Sequence, residues 1–96
     1  MAQGDAVIGS VTSVNAAASL TVQPTAGVTW LLKNIQYSGA VEIYMSDGTN
    51  TILVDSDGAN GQMLGMNYLL SNTQHLTIKN VSAAAIFVRY DAVVWS

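Results

Sequence analysis

The residues of this 96-residue chain that could do chemistry are few and scattered. His75 is the single histidine. A catalytic imidazole needs a nucleophile to activate and a carboxylate to orient it, and nothing in the spacing of the six acidic residues places one beside it. Residues 55–61 read Asp-Ser-Asp-Gly-Ala-Asn-Gly. Two carboxylates at that spacing could share a hard cation. As a helix-flanked calcium loop the segment fails, because Ala59 falls on the fifth position, Asn60 on the glycine position and Met66 on the closing glutamate. The aspartates are instead expected to accept hydrogen bonds from local backbone N–H groups in a turn. Trp30, Trp95, Tyr37, Tyr44, Tyr68 and Tyr90 could stack on sugar rings. Tyrosines in strands serve a subunit interface at least as well. No phosphate-binding glycine loop or nucleophile elbow is present. With no cysteine, neither a disulfide nor a thiolate zinc site can form. The expectation is a protein that is not an enzyme and that takes no cofactor and no metal.

The elements that must carry these residues read as strands. Leu20 and Val22 alternate with Ser19, Thr21 and Gln23. Val41, Ile43 and Met45 alternate with Glu42 and Tyr44, and Leu76 and Ile78 with Thr77 and Lys79. Period-two alternation places the apolar set on one face of a sheet. Residues 28–37 are apolar on both parities, with Val28, Trp30 and Leu32 on one face and Leu31, Ile35 and Tyr37 on the other. That pattern predicts a central strand or one covered by a neighbouring subunit. Pro24 to Gly27, Ser38-Gly39, Asp47-Gly48, residues 57–61, Asn72-Thr73 and Asn80 with Ser82 supply the turns, and Asp47-Gly48 predicts a tight hairpin. Residues 61–70 could carry a helical stripe, but Leu64, Met66, Tyr68 and Leu70 also alternate and Gly65 weakens a helix.

The pattern predicts an all-β fold: one small antiparallel β-sandwich or jelly-roll-like barrel of about eight short strands. It fills a single domain, 1–96, with residues 1–14 as an N-terminal arm or edge strand. The expected core is Leu20, Val22, Val28, Trp30, Val41, Ile43, Leu76, Ile78, Ile86 and Val88.

Charge is scarce. Three Lys/Arg and six Asp/Glu make 9% of the chain, against about 25% in an ordinary soluble domain. Half of the residues are apolar, which excludes disorder. Lys33, Lys79 and Arg89 form no basic cluster, so nucleic acid is not an expected partner. No apolar run reaches membrane-spanning length, and residues 1–5 lack the opening of a signal peptide. A weakly charged, apolar exterior associates. The expectation is therefore a homo-oligomer whose interface includes Leu31, Ile35, Tyr37, Tyr44 and Trp95.

Several short motifs follow one another in order. Gly4-Asp5 comes first, then residues 23–30 (Gln-Pro-Thr-Ala-Gly-Val-Thr-Trp) and Asn34-Ile35. Glu42-Ile43-Tyr44 leads into Asp47-Gly48-Thr49-Asn50, and Leu53-Val54-Asp55-Ser56-Asp57 comes next. Asn72-Thr73-Gln74, Leu76, Ile78, Lys79 and Asn80, and Tyr90-Asp91 complete the series. In this order the chain resembles small β-sandwich virion proteins of tailed bacteriophages. The resemblance implies a structural role in the virion, made in the host cytoplasm. One form is a capsid decoration or cement subunit that binds the major capsid protein as a closed oligomer, a trimer by analogy with subunits at lattice three-folds. The alternative is a receptor- or carbohydrate-binding module of a fibre or tail. The C-terminal Val93-Val94-Trp95-Ser96 is more apolar than that group's pattern.

Overall fold

A computed structural model describes residues 4–95. Among them are ten strands and no helix. In chain order they are β1 (Ala6–Ile8), β2 (Thr12–Val14), β3 (Ser19–Val22), β4 (Trp30–Tyr37), β5 (Val41–Ser46), β6 (Thr51–Asp57), β7 (Gly61–Met63), β8 (Tyr68–Leu70), β9 (His75–Asn80) and β10 (Ile86–Val94). Two antiparallel sheets hold them. In sheet A, β10 and β4 are central. Strands β1 and β2 run in line along the free side of β10, with Ile8 opposite Asp91 and Thr12 opposite Val88. In the same way β8 and β7 run along β4, with Leu70 opposite Trp30 and Gly61 opposite Tyr37. Each couple is one interrupted edge strand, so the ten segments do the work of the eight expected. Sheet B has the order β3-β9-β5-β6.

The pairings are nested. β5 pairs with β6, β4 with β7 and β8, β3 with β9, and β1 and β2 with β10. Successive couples land alternately in the two sheets, and β10–β4 and β9–β5 contacts close each sheet. This is a jelly roll, one long hairpin coiled into two layers.

The core lies between the layers. Sheet B contributes Val22, Val41, Ile43, Leu76 and Ile78, and sheet A contributes Val14, Leu32, Ile35, Tyr37, Leu70, Ile86, Val88, Ala92 and Val94, all buried. Each fully buried aliphatic side chain contributes roughly 1.5–3 kcal/mol. Leu20 and Trp30 pack against this core from partly buried positions. Val28 precedes β4 and is only half-buried.

The two-sided reading of residues 28–37 is corrected by a β-bulge. Asp91 pairs with Asn34 but Ala92 pairs with Leu32, which leaves Lys33 as an extra residue on β4. A bulge residue shifts the side-chain phase by one. Trp30 and Leu32 before it and Ile35 and Tyr37 after it therefore all face inward, and Leu31, Asn34 and Gln36 face outward. The break between β7 and β8 sits against this bulge: Met66 N–H donates to the Lys33 carbonyl at 2.8 Å and Lys33 Nζ donates to Asn67 Oδ1 at 2.8 Å. Residues 61–70 thus form two short strands rather than a helix, and Gly65 takes a φ of 66° at the break.

The Asp47-Gly48 signal does mark a hairpin, but with a four-residue connection, residues 47–50, in place of a two-residue turn. Asp47 Oδ1 accepts from the N–H groups of Asn50 (2.7 Å) and Thr49 (2.9 Å). Those two bonds, Asn50's first, hold the Asp47 carboxyl below the ordinary carboxylate range.

Candidate functional site

Alternation along β10 builds an ordered polar surface. Ile86, Val88, Ala92 and Val94 are buried, so Phe87, Arg89, Asp91 and Val93 emerge together on the outer face of sheet A. Across the strand, Arg89 faces Gln36, Asp91 faces Asn34 and Val93 faces Leu31. Arg89 Nη1 donates to Gln36 Oε1 at 2.8 Å and to Asp91 Oδ2 at 3.2 Å. Asn34 Nδ2 donates to Asp91 Oδ1 at 2.6 Å, and Asn34 Oδ1 accepts from Gly65 N–H at 3.2 Å. The result is a fixed ladder of planar polar groups, each oriented by its neighbour.

The ladder separates two apolar ends. At one end Ala6, Val93, Leu31 and Leu69 are directly opposite one another across all four strand positions of the sheet. Trp95 (49% exposed) continues the outward phase of Val93, and Leu69 is 47% exposed. At the other end stands Phe87, 59% exposed. Its backbone is clamped by Ser38, whose N–H donates to the Phe87 carbonyl (2.9 Å) and whose Oγ accepts from Phe87 N–H (2.8 Å). A hollow of about 200 Å³ opens beside it, lined in part by Val11, Gln36, Ser38, Gly61 and Arg89.

The expected interface residues do not form one surface. Leu31 and Trp95 belong to the apolar end of sheet A. Ile35 and Tyr37 are buried in the core, a correction that follows from the Lys33 bulge. Tyr44 lies on the opposite side of the molecule, on the outer face of sheet B beside Thr77. Its hydroxyl donates to Glu42 Oε1 at 2.6 Å, and that bond raises its pKa.

Other candidates resolve into structure. In residues 55–61, Asp57 Oδ2 accepts from the Tyr37 hydroxyl at 2.6 Å and Oδ1 from Ala59 N–H at 3.2 Å, while Asp55 Oδ1 accepts from Ser56 N–H at 2.8 Å. No group of three His, Cys, Asp or Glu residues that could hold a metal occurs among the described residues. His75 pairs with Ser46 at the start of β9. Trp30 and Tyr90 approach at a ring-centroid distance of 6.4 Å on the inner side of sheet A, and burial raises the Tyr90 pKa.

Phe87 is an exposed aromatic that the tryptophans and tyrosines overshadow in the sequence. A signal was present. With Ile86 and Val88 assigned to the core, parity alone puts Phe87, Arg89 and Asp91 on one outward face. No protein-family model matches the chain, and no curated protein is significantly similar to it.

Proposed function

We propose that this chain is a structural subunit of a tailed-phage virion, a decoration or cement protein that stabilises the head lattice as a homo-oligomer bound to the major capsid protein. The observation that carries this reading is the row Ala6–Val93–Leu31–Leu69 with Trp95 beside it. It is an apolar surface that spans the whole width of sheet A in a chain that is 9% charged. Covering such a surface contributes roughly 25 cal/mol per Å² of apolar area. The jelly roll is in keeping, being a frequent architecture of capsid proteins, although lectins and cupins share it and a fold by itself carries no function.

Light scattering on the purified protein at micromolar concentration tests the oligomer. A mass several times 10.1 kDa is expected, falling to that of one chain when Leu31→Glu and Leu69→Glu are combined. A single-chain mass for the unaltered protein would overturn the reading. A closed assembly of three copies is the expected order, and another order would overturn the trimer alone. Quantitative mass spectrometry of particles then separates a lattice subunit, at hundreds of copies, from a fibre part at a handful.

A further inference from the structure

We infer that Asn60 is a modification site, where the side-chain amide is lost spontaneously to water and aspartate and isoaspartate take its place. The reaction needs a carboxamide followed by a backbone nitrogen that nothing crowds. Asn60 is followed by Gly61, and no other asparagine of the chain precedes a glycine. Asn34, Asn67, Asn72 and Asn80 also have their side chains tied into hydrogen bonds, while Asn15 and Asn50 precede Ala16 and Thr51. Asn60 is exposed, in the bend between β6 and β7. Side-chain hydrogen bonds fix Asp55 and Asp57 in this loop, and none among the described residues fixes the Asn60 amide.

The atoms balance with water as the one co-reactant. The Gly61 nitrogen gives up its proton and bonds to Asn60 Cγ. The Cγ–Nδ2 bond breaks, and ammonia leaves with that proton. Water then opens the five-membered imide at one of its two carbonyls. Opening at Cγ restores the ordinary chain as aspartate. Opening at the main-chain carbonyl leaves Gly61 bonded through Cγ, an isoaspartate with one more backbone carbon. Closure is intramolecular and so gains the advantage of proximity, and Gly61 brings no Cβ to obstruct it. Pairing with Tyr37 opposes closure. Gly61 is, however, the first residue of a three-residue edge strand, and strand ends of this kind open at little cost.

The position gives the change a consequence. A Cβ on Gly61 would lie 3.2 Å from Asp57 Oδ2 and 3.7 Å from the Tyr37 hydroxyl oxygen. The junction therefore abuts the hydrogen bond that joins the two sheets. A carboxylate at position 60 adds its charge to those of Asp55 and Asp57, and like charges in one loop repel. An isoaspartate also displaces Gly61 against Tyr37. Both products loosen the β7 end of sheet A. No partner is required, so the inference is independent of the capsid role.

The test ages the whole purified protein in mildly alkaline buffer and follows its peptides by mass spectrometry. Position 60 should show the mass change of NH2 replaced by OH ahead of every other asparagine, and the product should split into aspartyl and isoaspartyl isomers. Gly61→Ala should slow the loss about tenfold, equivalent to a barrier higher by about 1.4 kcal/mol. Asn60→Gln, whose ring would be six-membered, should stay intact over the same period. Circular dichroism should show both variants folded. The aged parent should melt a few degrees below the fresh protein, and aged Asn60→Gln should not. Conversion at position 60 no faster than at the other asparagines, a product of aspartate alone, or an undiminished rate in Gly61→Ala would each overturn the site. An unchanged melting temperature after full conversion would overturn its link to the Tyr37–Asp57 bond.

Discussion

The side-chain amide of Asn80 donates to the backbone carbonyl of Val14 at 2.9 Å, across 66 residues of sequence. The same nitrogen donates to the Ala84 carbonyl (2.8 Å), and Asn80 Oδ1 accepts from the N–H (2.9 Å) and Oγ (2.7 Å) of Ser82. All the hydrogen-bonding capacity of a fully buried amide is thereby used. One side chain joins the end of β2, the end of β9 and the turn into β10.

Asn80→Ala removes the amide donor from the buried Val14 carbonyl bond and the acceptor of Ser82 N–H, leaving the Ser82 hydroxyl and the Ala84 carbonyl to each other. A loss of about 3 kcal/mol is expected in urea unfolding. Asn80→Asp should be at least as damaging at neutral pH, because a carboxylate presents acceptors to the Val14 and Ala84 carbonyls. An Asn80→Asp variant as stable as the parent would refute this role.

The Tyr37 hydroxyl bridges the two sheets through its 2.6 Å bond to Asp57. Burial, then the Asp57 hydrogen bond, then the charges of Asp57 and Asp55 push its pKa well above the ordinary tyrosine value. Because the folded-state pKa is the higher one, the stabilisation is fully present below about pH 10, the unfolded value. It is lost as pH rises from there toward the folded pKa. The melting temperature should therefore decline above about pH 10. Tyr37→Phe should cost about 1–2 kcal/mol at neutral pH and flatten that decline. An equally steep alkaline decline in the variant would assign it to other groups.

Gly39 sits where a Cβ would meet Ile86 Cγ2 at 2.5 Å. Ile86 is buried and cannot move aside freely. Gly39→Ala should destabilise by about 1–3 kcal/mol. The cost should shrink on an Ile86→Ala background, a coupling that a double-mutant cycle measures directly. Independent, additive effects would mean that the contact is not the cause.

Ala17 is the one non-glycine described residue with a positive φ, 64°. It stands in the turn from β2 to β3, where its N–H donates to the Asn80 carbonyl at 3.0 Å. Left-handed backbone costs an L-residue roughly 1–2 kcal/mol, part of which glycine gives back in unfolded-chain entropy. Ala17→Gly should raise the melting temperature by a few degrees. A lower one would show that the turn is not strained.

Strands with clean parity were legible in the sequence. Leu20/Val22, Val41/Ile43 and Leu76/Ile78 alternate because one face of sheet B meets the core and the other meets solvent. β4 was legible as a strand and misread as two-sided. The extra residue at Lys33 swaps the phase, and nothing in Lys-Asn marks a bulge. Tyr37 and Ile35 were assigned outward for that reason alone. The edge strands of sheet A were blurred because each is two three-residue pieces, too short for a period to show. The polar ladder depends on which strand lies beside β10. Gln36 and Arg89 are 53 residues apart, and that pairing is a property of topology rather than of local pattern.

The nested pairing also fixes an order of events during synthesis. The hairpin of β5 and β6 can close while most later strands are still unmade. β1 and β2, made before the other strands of this sandwich, must wait for β10, made after them. Their N–H and C=O groups lack these partners while the rest of the sandwich is made, a condition that ordinarily invites aggregation. The waiting segment is suited to it. Gly9, Ser10, Thr12 and Ser13 interrupt its apolar residues, and β1 and β2 are three residues each. A stronger first strand, continuous and rich in valine or isoleucine, would pair more firmly in the finished sandwich, yet it would spend that interval as a sticky end.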